Sequence, residues 1–511
     1  MAAMRRSLDH LDAAEAWQPW QPSPAEPWSR KWAAHLYRRA AFGPSREDLL
    51  EAGRLGLQGT LDLLLRGRPQ AEQMLETLVD VGRVAAAHDD GGGQLAGWWL
   101  YCMLHSGHPL REKLTLFWHN HFATSIVKVQ NSTLMWRQNC LLRTYALGRF
   151  EPFLQAISKD PAMLVWLDSN SNIKGKPNEN YARELMELFS LGVGHYTEPD
   201  IREAARAFTG WHTNGERFAF DPRSHDGGPK TFLGQTGPWN GDDVVRIVLA
   251  QPQAARFLVR KLYHLLISEA AVPPDALLEP LCESFHQSDY DIAQLVRTML
   301  ASRHFYSEYA FRQRIKGPVE YVLGAVQAVY RAYGANEANY RPFPQQALVG
   351  WLGAMGQKLF APPNVKGWPG GRSWLNTSTV LERNNFASAL TLGTLWGIPR
   401  LVFVAGATAL TSRDQAAGKP SKPATTAETL EEPGLSLAFD PARILQEEHA
   451  CCPAEVVRVL LDLYLPGGVS PGTQAKLVAF LGEGQPTNSS LARRVREAVH
   501  AILTMAEYQL A

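Results

Sequence analysis

The segment from Asn178 to Leu191 sets two carboxylates beside a guanidinium. At about 100° per residue, Asn180, Arg183, Glu184 and Glu187 fall on one helical face. Tyr181, Leu185, Leu188 and Phe189 fall on the other. Carboxylates one helical turn apart can bind a hard cation or divide acid and base work. The ordinary alternative is a solvated face carrying an Arg183–Glu187 ion pair at i,i+4 spacing. Both readings stand on the sequence alone.

Immediately upstream, Asp168, Asn170 and Asn172 alternate, and Glu179 is the twelfth residue counted from Asp168. That is the oxygen-ligand spacing of a calcium loop. The sixth place, where a glycine makes the sharp turn, is Ile173; the seventh is Lys174, and Pro177 intrudes. The spacing therefore speaks against a true EF-hand. It leaves a looser metal loop, or a polar turn in which Asp and Asn bond their own backbone. Trp118-His119-Asn120-His121 adds two imidazoles, the usual ligands for zinc and related metals. Leu110, Leu114 and Phe117 make an apolar stripe that His121 extends, so on a helix His119 points well away from His121. The pair converges only where helix gives way to extended chain. A histidine on such a stripe is more often a core residue than a ligand.

Two loops carry further chemistry. His225-Asp226-Gly227-Gly228-Pro229-Lys230 places a base, an acid and a cation together. His225 with Asp226 could supply ligands or a general base, and Lys230 could meet an anion. An ordinary tight turn is the alternative; loops more often host sites. The segment 364–376 holds Lys366, Trp368, Arg372 and Trp374. Aromatic faces beside amides suit sugar rings, and the cations suit phosphate, sulfate or carboxylate. With 15 tryptophans in the chain, several must be core, which favours a buried loop pinned by its own indoles.

Other chemistries find no support. There is no G-x-S-x-G elbow and no H-E-x-x-H. No G-x-G-x-x-G follows a strand pattern and no Walker spacing occurs, so no nucleotide cofactor is expected. The formal net charge of +1 supplies no global field for nucleic acid. Five cysteines, none in C-x-x-C, predict buried free thiols rather than a disulfide frame or a zinc finger. No run reaches the roughly 18 apolar residues of a membrane span. Arg5-Arg6 is followed by acids at Asp9 and Asp12 instead of an apolar stretch, so no secretory signal is expected and the cytoplasm is the default.

The elements that must position these residues read as helices. Apolar residues recur at helical spacing over 95–104, 111–119, 133–147, 181–191, 198–208, 242–249, 253–267 and 291–301. The same holds over 318–333, 345–355, 381–395, 454–463, 473–481 and 492–508. Strand patterns are few; Arg217 to Phe220 alternates and predicts a hairpin arm near 212–235. The expected organisation is a flexible tail over 1–28, a main helical domain over 29–404, a disordered linker or insertion over 405–436, and a helical C-terminal subdomain over 437–511. The fold class expected is all-α, a mostly helical globule with a small β-hairpin arm.

Several ordered blocks resemble a bacterial family. The clearest is Asn178-Glu179-Asn180-Tyr181-Ala182-Arg183-Glu184-Leu185-Met186-Glu187-Leu188-Phe189-Ser190-Leu191-Gly192. Phe117 to Phe122, Ala205 to Trp211, His225 to Gly234, Pro362 to Pro369 and the ending Glu507 to Leu510 agree with it. From about Trp32 onward the chain resembles the family called domain of unknown function 1800, which brings no settled activity. The resemblance implies export for some members and a sulfatase-like partner protein. It also lifts the Glu184/Glu187 face level with the plain surface reading.

The leading expectation is a metal-dependent hydrolase for a polar, glycan-related or anionic substrate. Its divalent metal would sit among His119, His121, Glu179, Asp168, Asn170 and Asn172, with Glu184, Glu187, His225 and Asp226 as acid–base groups. Arg183, Lys230, Lys366, Trp368, Arg372 and Trp374 would bind the ligand. The alternative is a non-catalytic helical scaffold that binds a glycan or a partner protein through the tryptophan loop.

Overall fold

Helix starts follow the chain's own punctuation. Ser45 and Asp48 exchange side-chain and backbone hydrogen bonds and open the helix Arg46–Arg66. Thr197 with Asp200 opens Glu198–Ala207, and Asn240 with Asp243 opens Gly241–Leu249, in the same reciprocal way. Proline stands in the first turn of Pro109–His121, Pro252–Leu266 and Pro453–Tyr464, where its missing N–H leaves no bond unmade. The computed structural model describes residues 8–89, 91–330, 345–392, 445–446, 448–483 and 488–511.

Those residues are mostly α-helical, with two small antiparallel two-stranded sheets. Trp211 pairs with Phe220 in one, and Lys230 with Gly237 in the other. The expected arm is thus two successive hairpins. No helix among the described residues is long and apolar enough to cross a membrane. Buried thiols are found at Cys102 and Cys282, whereas Cys451 and Cys452 are exposed.

Two hydrophobic cores organise the helices. The first gathers the N-terminal segment with Arg30–Ala40, Pro252–Leu266, Asp275–Gln287 and Ile292–Ala301. The second gathers Gly93–His105, Pro318–Tyr330, Thr377–Leu392, Pro453–Tyr464 and Asn488–Thr504. Pro109–His121 serves both: Leu110, Leu114 and Trp118 face the first, Leu116 the second. Val456, Leu460, Val499 and Ile502 share a core with Trp99 and Met103. The described residues from 445 onward thus contribute to this second core. The linker expected over 405–436 lies outside the described residues.

The flexible tail expected over 1–28 is corrected, from Leu8 onward; residues 1–7 lie outside the described ones. Leu8, Ala16, Trp17 and Trp20 are buried in the first core. Trp17 Nε1 donates to the Leu277 carbonyl at 2.6 Å, and the Trp20 N–H to the Ala301 carbonyl at 2.8 Å. The Trp20 indole stacks on Tyr306 with ring centroids 4.5 Å apart. Each indole buried this way adds roughly 2–3 kcal/mol relative to exposure, enough to hold a segment without periodicity.

Candidate acid–base site

The helix that carries the two glutamates changes pitch in mid-course. Asn178 Oδ1 accepts the Asn180 N–H at 2.9 Å and starts it. Asn180–Glu184 is α-helical, and Leu185–Ser190 is a π-helix, where an unbroken α-helix to Leu191 was expected. Such wide turns recur at functional sites. Tyr181, Leu185 and Phe189 are buried, while Arg183, Glu184 and Glu187 remain half-buried on the open side.

The end of this helix leaves carbonyls for outside donors. Leu191 and Gly192 both reach back to the Met186 carbonyl. The Leu188 carbonyl accepts from Lys261 Nζ at 3.0 Å, and the Phe189 carbonyl from His121 Nε2 at 3.1 Å. Lys261 Nζ also lies 2.9 Å from His121 Nδ1. The arrangement fixes the tautomer: His121 carries its proton on Nε2 and accepts on Nδ1. Burial brings the Lys261 amine down to about 7, and a neutral amine has the two N–H bonds these two acceptors need. Burial, and then the nearby Lys261, holds His121 well below the ordinary imidazole range.

Both ring nitrogens of His121 are therefore occupied, which corrects its expected role as a metal ligand. His119 fails for a different reason. The helix Pro109–His121 runs through both residues, so the two rings do not converge. His119 sits among Trp99, Phe360 and Trp368, with ring centroids 5.3, 5.4 and 5.7 Å away. Burial lowers it to about 3, and its Nε2 has no hydrogen-bond partner in the protein. It is a neutral core histidine.

Asn120 stands between them and ties in the 364–376 loop. Its Oδ1 accepts the Trp368 N–H at 2.6 Å. Gly367 has φ +77°, and a Cβ there would lie 2.1 Å from Asn120 Oδ1, so the approach demands glycine. Trp368 and Trp374 are only 5% and 8% exposed. Their faces pin the loop and are not offered to a sugar, which corrects the expected aromatic platform. Lys366 and Arg372 stay exposed. The clamp brings Lys366 Nζ to 4.0 Å from Glu187 Oε1.

Glu184 and Glu187 thus meet Lys366 from a distant part of the chain. Burial raises the Glu184 carboxyl, and the negative charge of Glu187 raises it further, against the opposing pull of Lys366 and Arg183. Glu187 accepts the Tyr196 O–H at 3.3 Å. Arg183 turns away from Glu187: it grips Glu198 through both terminal nitrogens at 2.9 Å and Glu179 at 3.1 Å. The i,i+4 pair with Glu187 does not form, and Glu179 is engaged by Arg183 instead of facing Asp168. Tyr196 and Lys261 were not among the residues picked from the sequence, and no local pattern marks either one.

The loop from Asp168 to Glu179 spends its oxygens outward. Asp168, at φ +58°, accepts from Lys128 at 2.9 Å and from Asn180 at 3.3 Å. Asn170 pairs with both backbone groups of Thr213 at 2.8 and 3.2 Å. Asn172 accepts from the Asn178 N–H and donates to the Ala205 carbonyl. These bonds staple the first hairpin to the start of the glutamate helix, and they do not converge on one point as a calcium loop requires.

The 225–230 loop is held just as firmly. Asp226 pairs with Arg206 at 2.8 Å, which draws its carboxyl down to about 2. Lys230 is 1% exposed and donates to the carbonyls of Asp226 and Gly228, so it braces the turn instead of awaiting an anion. His225 Nδ1 lies 2.9 Å from the Thr209 carbonyl, which leaves the lone pair on Nε2. No hydrogen bond or ion pair joins this loop to Glu184 or Glu187 among the described residues. Nor do three His, Cys, Asp or Glu side chains gather there as a metal-ligand set. The expected His–carboxylate metal cluster does not fit this arrangement.

What remains is a helical scaffold that draws three separated blocks, 117–122, 178–192 and 362–369, around one pair of carboxylates. That defines a mostly α-helical protein with a carboxylate-bearing face on a π-widened helix. A family model described as protein of unknown function (DUF1800) matches residues 35–510, and the chain belongs to this family. Comparison with curated proteins and with solved structures returned no match.

Proposed function

We propose that the protein is a hydrolase acting on a polar, glycan-related substrate through Glu184 and Glu187. The observation that supports this is the meeting of half-buried Glu184, Glu187 and Tyr196 with the exposed Lys366. The two carboxyls have different surroundings. Glu184, raised by burial, keeps its proton to higher pH and serves as the general acid toward a leaving oxygen. Glu187, bonded by the Tyr196 hydroxyl and faced by Lys366, takes a proton from water. Lys366 also meets negative charge on the substrate. Lys261 and His121 are positioning residues that hold the end of the helix.

The test is release of reducing ends from a panel of polysaccharides, with and without chelator, by the wild type, Glu184→Gln and Glu187→Gln. Each variant should lose about a hundred-fold or more, the range for a positioned acid or base. The wild type should stay active after chelation. Full activity in both variants, or no hydrolysis of any glycan by the wild type, refutes the proposal.

A further inference from the structure

Two exposed turns meet beside the first hairpin. Ile173-Lys174-Gly175-Lys176-Pro177 is exposed throughout. The Lys176 N–H donates to the Ile173 carbonyl at 2.9 Å. Gly175 turns the corner at φ +81°, with open space where a Cβ would stand. The second turn, Phe220-Asp221-Pro222-Arg223, leaves the end of the strand Phe218–Phe220. Backbone bonds tie the two together. The Lys174 N–H donates to the Ser224 carbonyl at 2.8 Å; Gly210 accepts from the Asp221 N–H at 2.9 Å and donates to the Asn172 carbonyl at 3.1 Å. Ile173 and Phe220 are thus each next in sequence to a residue bonded to that one glycine.

The side chains here are of two kinds. Ile173 is 39% exposed and Phe220 46%. Phe220 rests against His225, with ring centroids 5.4 Å apart, and leaves much of its ring in water. Lys174, Lys176 and Arg223 are exposed beside them, and none has an ion pair among the described residues.

The acids of these turns do not cancel that charge. Asp221 accepts the Arg223 N–H and the Ser224 hydroxyl, and its carboxylate offsets one cation. Glu216 stands beside Arg217, and Arg137 donates to its carbonyl at 2.9 Å. Asp226 is held by Arg206. Lys174, Lys176, Arg217 and Arg223 therefore outnumber Glu216 and Asp221.

We propose that this tip docks on the surface of an anionic phospholipid bilayer. Ile173 and Phe220 enter the headgroup region, and the cations meet lipid phosphates. Apolar side chains set among Lys and Arg are the composition of an interfacial contact, and no spanning helix is needed for it. A soluble polyanion would use the cations but leave Ile173 without a partner. Each cation near such a surface contributes about five-fold in affinity, ~1 kcal/mol, so the contact is reversible. Neither Glu184 nor Glu187 takes part, so the tip is independent of the hydrolase reading.

The experiment is co-sedimentation of the full chain with vesicles of phosphatidylcholine, with and without phosphatidylglycerol. The chain should sediment with the anionic vesicles at low salt, stay in solution with phosphatidylcholine alone, and leave the anionic vesicles at high salt. Lys174→Ser and Lys176→Ser should each weaken binding about five-fold, and the double variant about 25-fold. Phe220→Ser should weaken it several-fold and leave the salt dependence in place. All three positions are exposed, and thermal unfolding like that of the wild type checks that each variant folds. Arg493→Ser, at an exposed arginine of Asn488–Thr504, should bind as the wild type does, which tells this tip from a general effect of charge. No sedimentation with anionic vesicles overturns the proposal, and capture by immobilised heparin in that case assigns the cations to a soluble polyanion. Equal sedimentation with neutral vesicles, an unchanged double lysine variant or an unchanged Phe220→Ser overturns it as well.

Discussion

Replacing Lys261 with methionine should change the pH dependence of stability in a direction opposite to most lysine substitutions. In the folded protein burial brings this amine from 10.5 to about 7. Above pH 10.5 both folded and unfolded states are neutral at this position and it makes no difference. Between 7 and 10.5 the unfolded chain holds a proton that the folded chain lacks. There the wild type gains ~1.4 kcal/mol per pH unit as pH rises. Below 7 both states are protonated and the full penalty, ~5 kcal/mol at most, is in force. Lys261→Met removes the titration and also the bond to the Leu188 carbonyl. That second loss costs about 1–3 kcal/mol at every pH. Urea unfolding of both proteins at pH 5.5, 6.5, 7.5 and 9 separates the effects. The wild type should gain ~2 kcal/mol on the variant between pH 7.5 and 9, and almost nothing between 5.5 and 6.5. A difference that stays flat from 7.5 to 9 would show that the amine remains charged, and the account of the Lys261–His121 pair would fail.

Three other outcomes follow from contacts around the site. Glu112 is fully buried, paired with Arg143 at 2.6 and 3.0 Å and bonded by Trp99 Nε1 at 3.2 Å. Glu112→Ala should cost ~3–5 kcal/mol in chemical denaturation, and adding Arg143→Met should restore part of it, because an unpaired buried charge is the larger fault. Gly367→Ala should cost at least ~1–3 kcal/mol, given the φ of +77° and the clash with Asn120, and should lower any hydrolysis that depends on Lys366. Trp17→Ala should lower stability by ~3–5 kcal/mol in the same assay; a free tail would lose nothing.

Much of the scaffold was legible because its signals are local. Ser45 with Asp48, and proline at the first turn of Pro453–Tyr464, mark helix starts that depend on neighbours a few residues away. The polar face of Glu184 and Glu187 was legible for the same reason, as a period along one helix. The widening at Leu185 was not, since no residue type along the helix marks the change from α to π hydrogen bonding. The N-terminal segment misled because its burial is not periodic. Trp17 docks on Asp275–Gln287 while Trp20 and Trp28 both meet Tyr306, and only the cost of leaving three indoles in water hints at docking. Lys261 and Lys366 act through contacts 140 residues from His121 and 179 residues from Glu187, a pairing that no spacing rule encodes. The histidine pair misled because the motif matched a ligand type while the helix geometry set the rings apart.

The second core has a consequence for how the chain is made. Pro318–Tyr330 and Thr377–Leu392 pack against Pro453–Tyr464 and Asn488–Thr504, which emerge last. Until those late residues appear, these two helices keep part of their apolar surface uncovered. Non-local closure of this kind is slow and leaves that surface open to aggregation. Ribosome-bound chains ending near residue 440 should therefore recruit holding chaperones, and release of the full chain should end this.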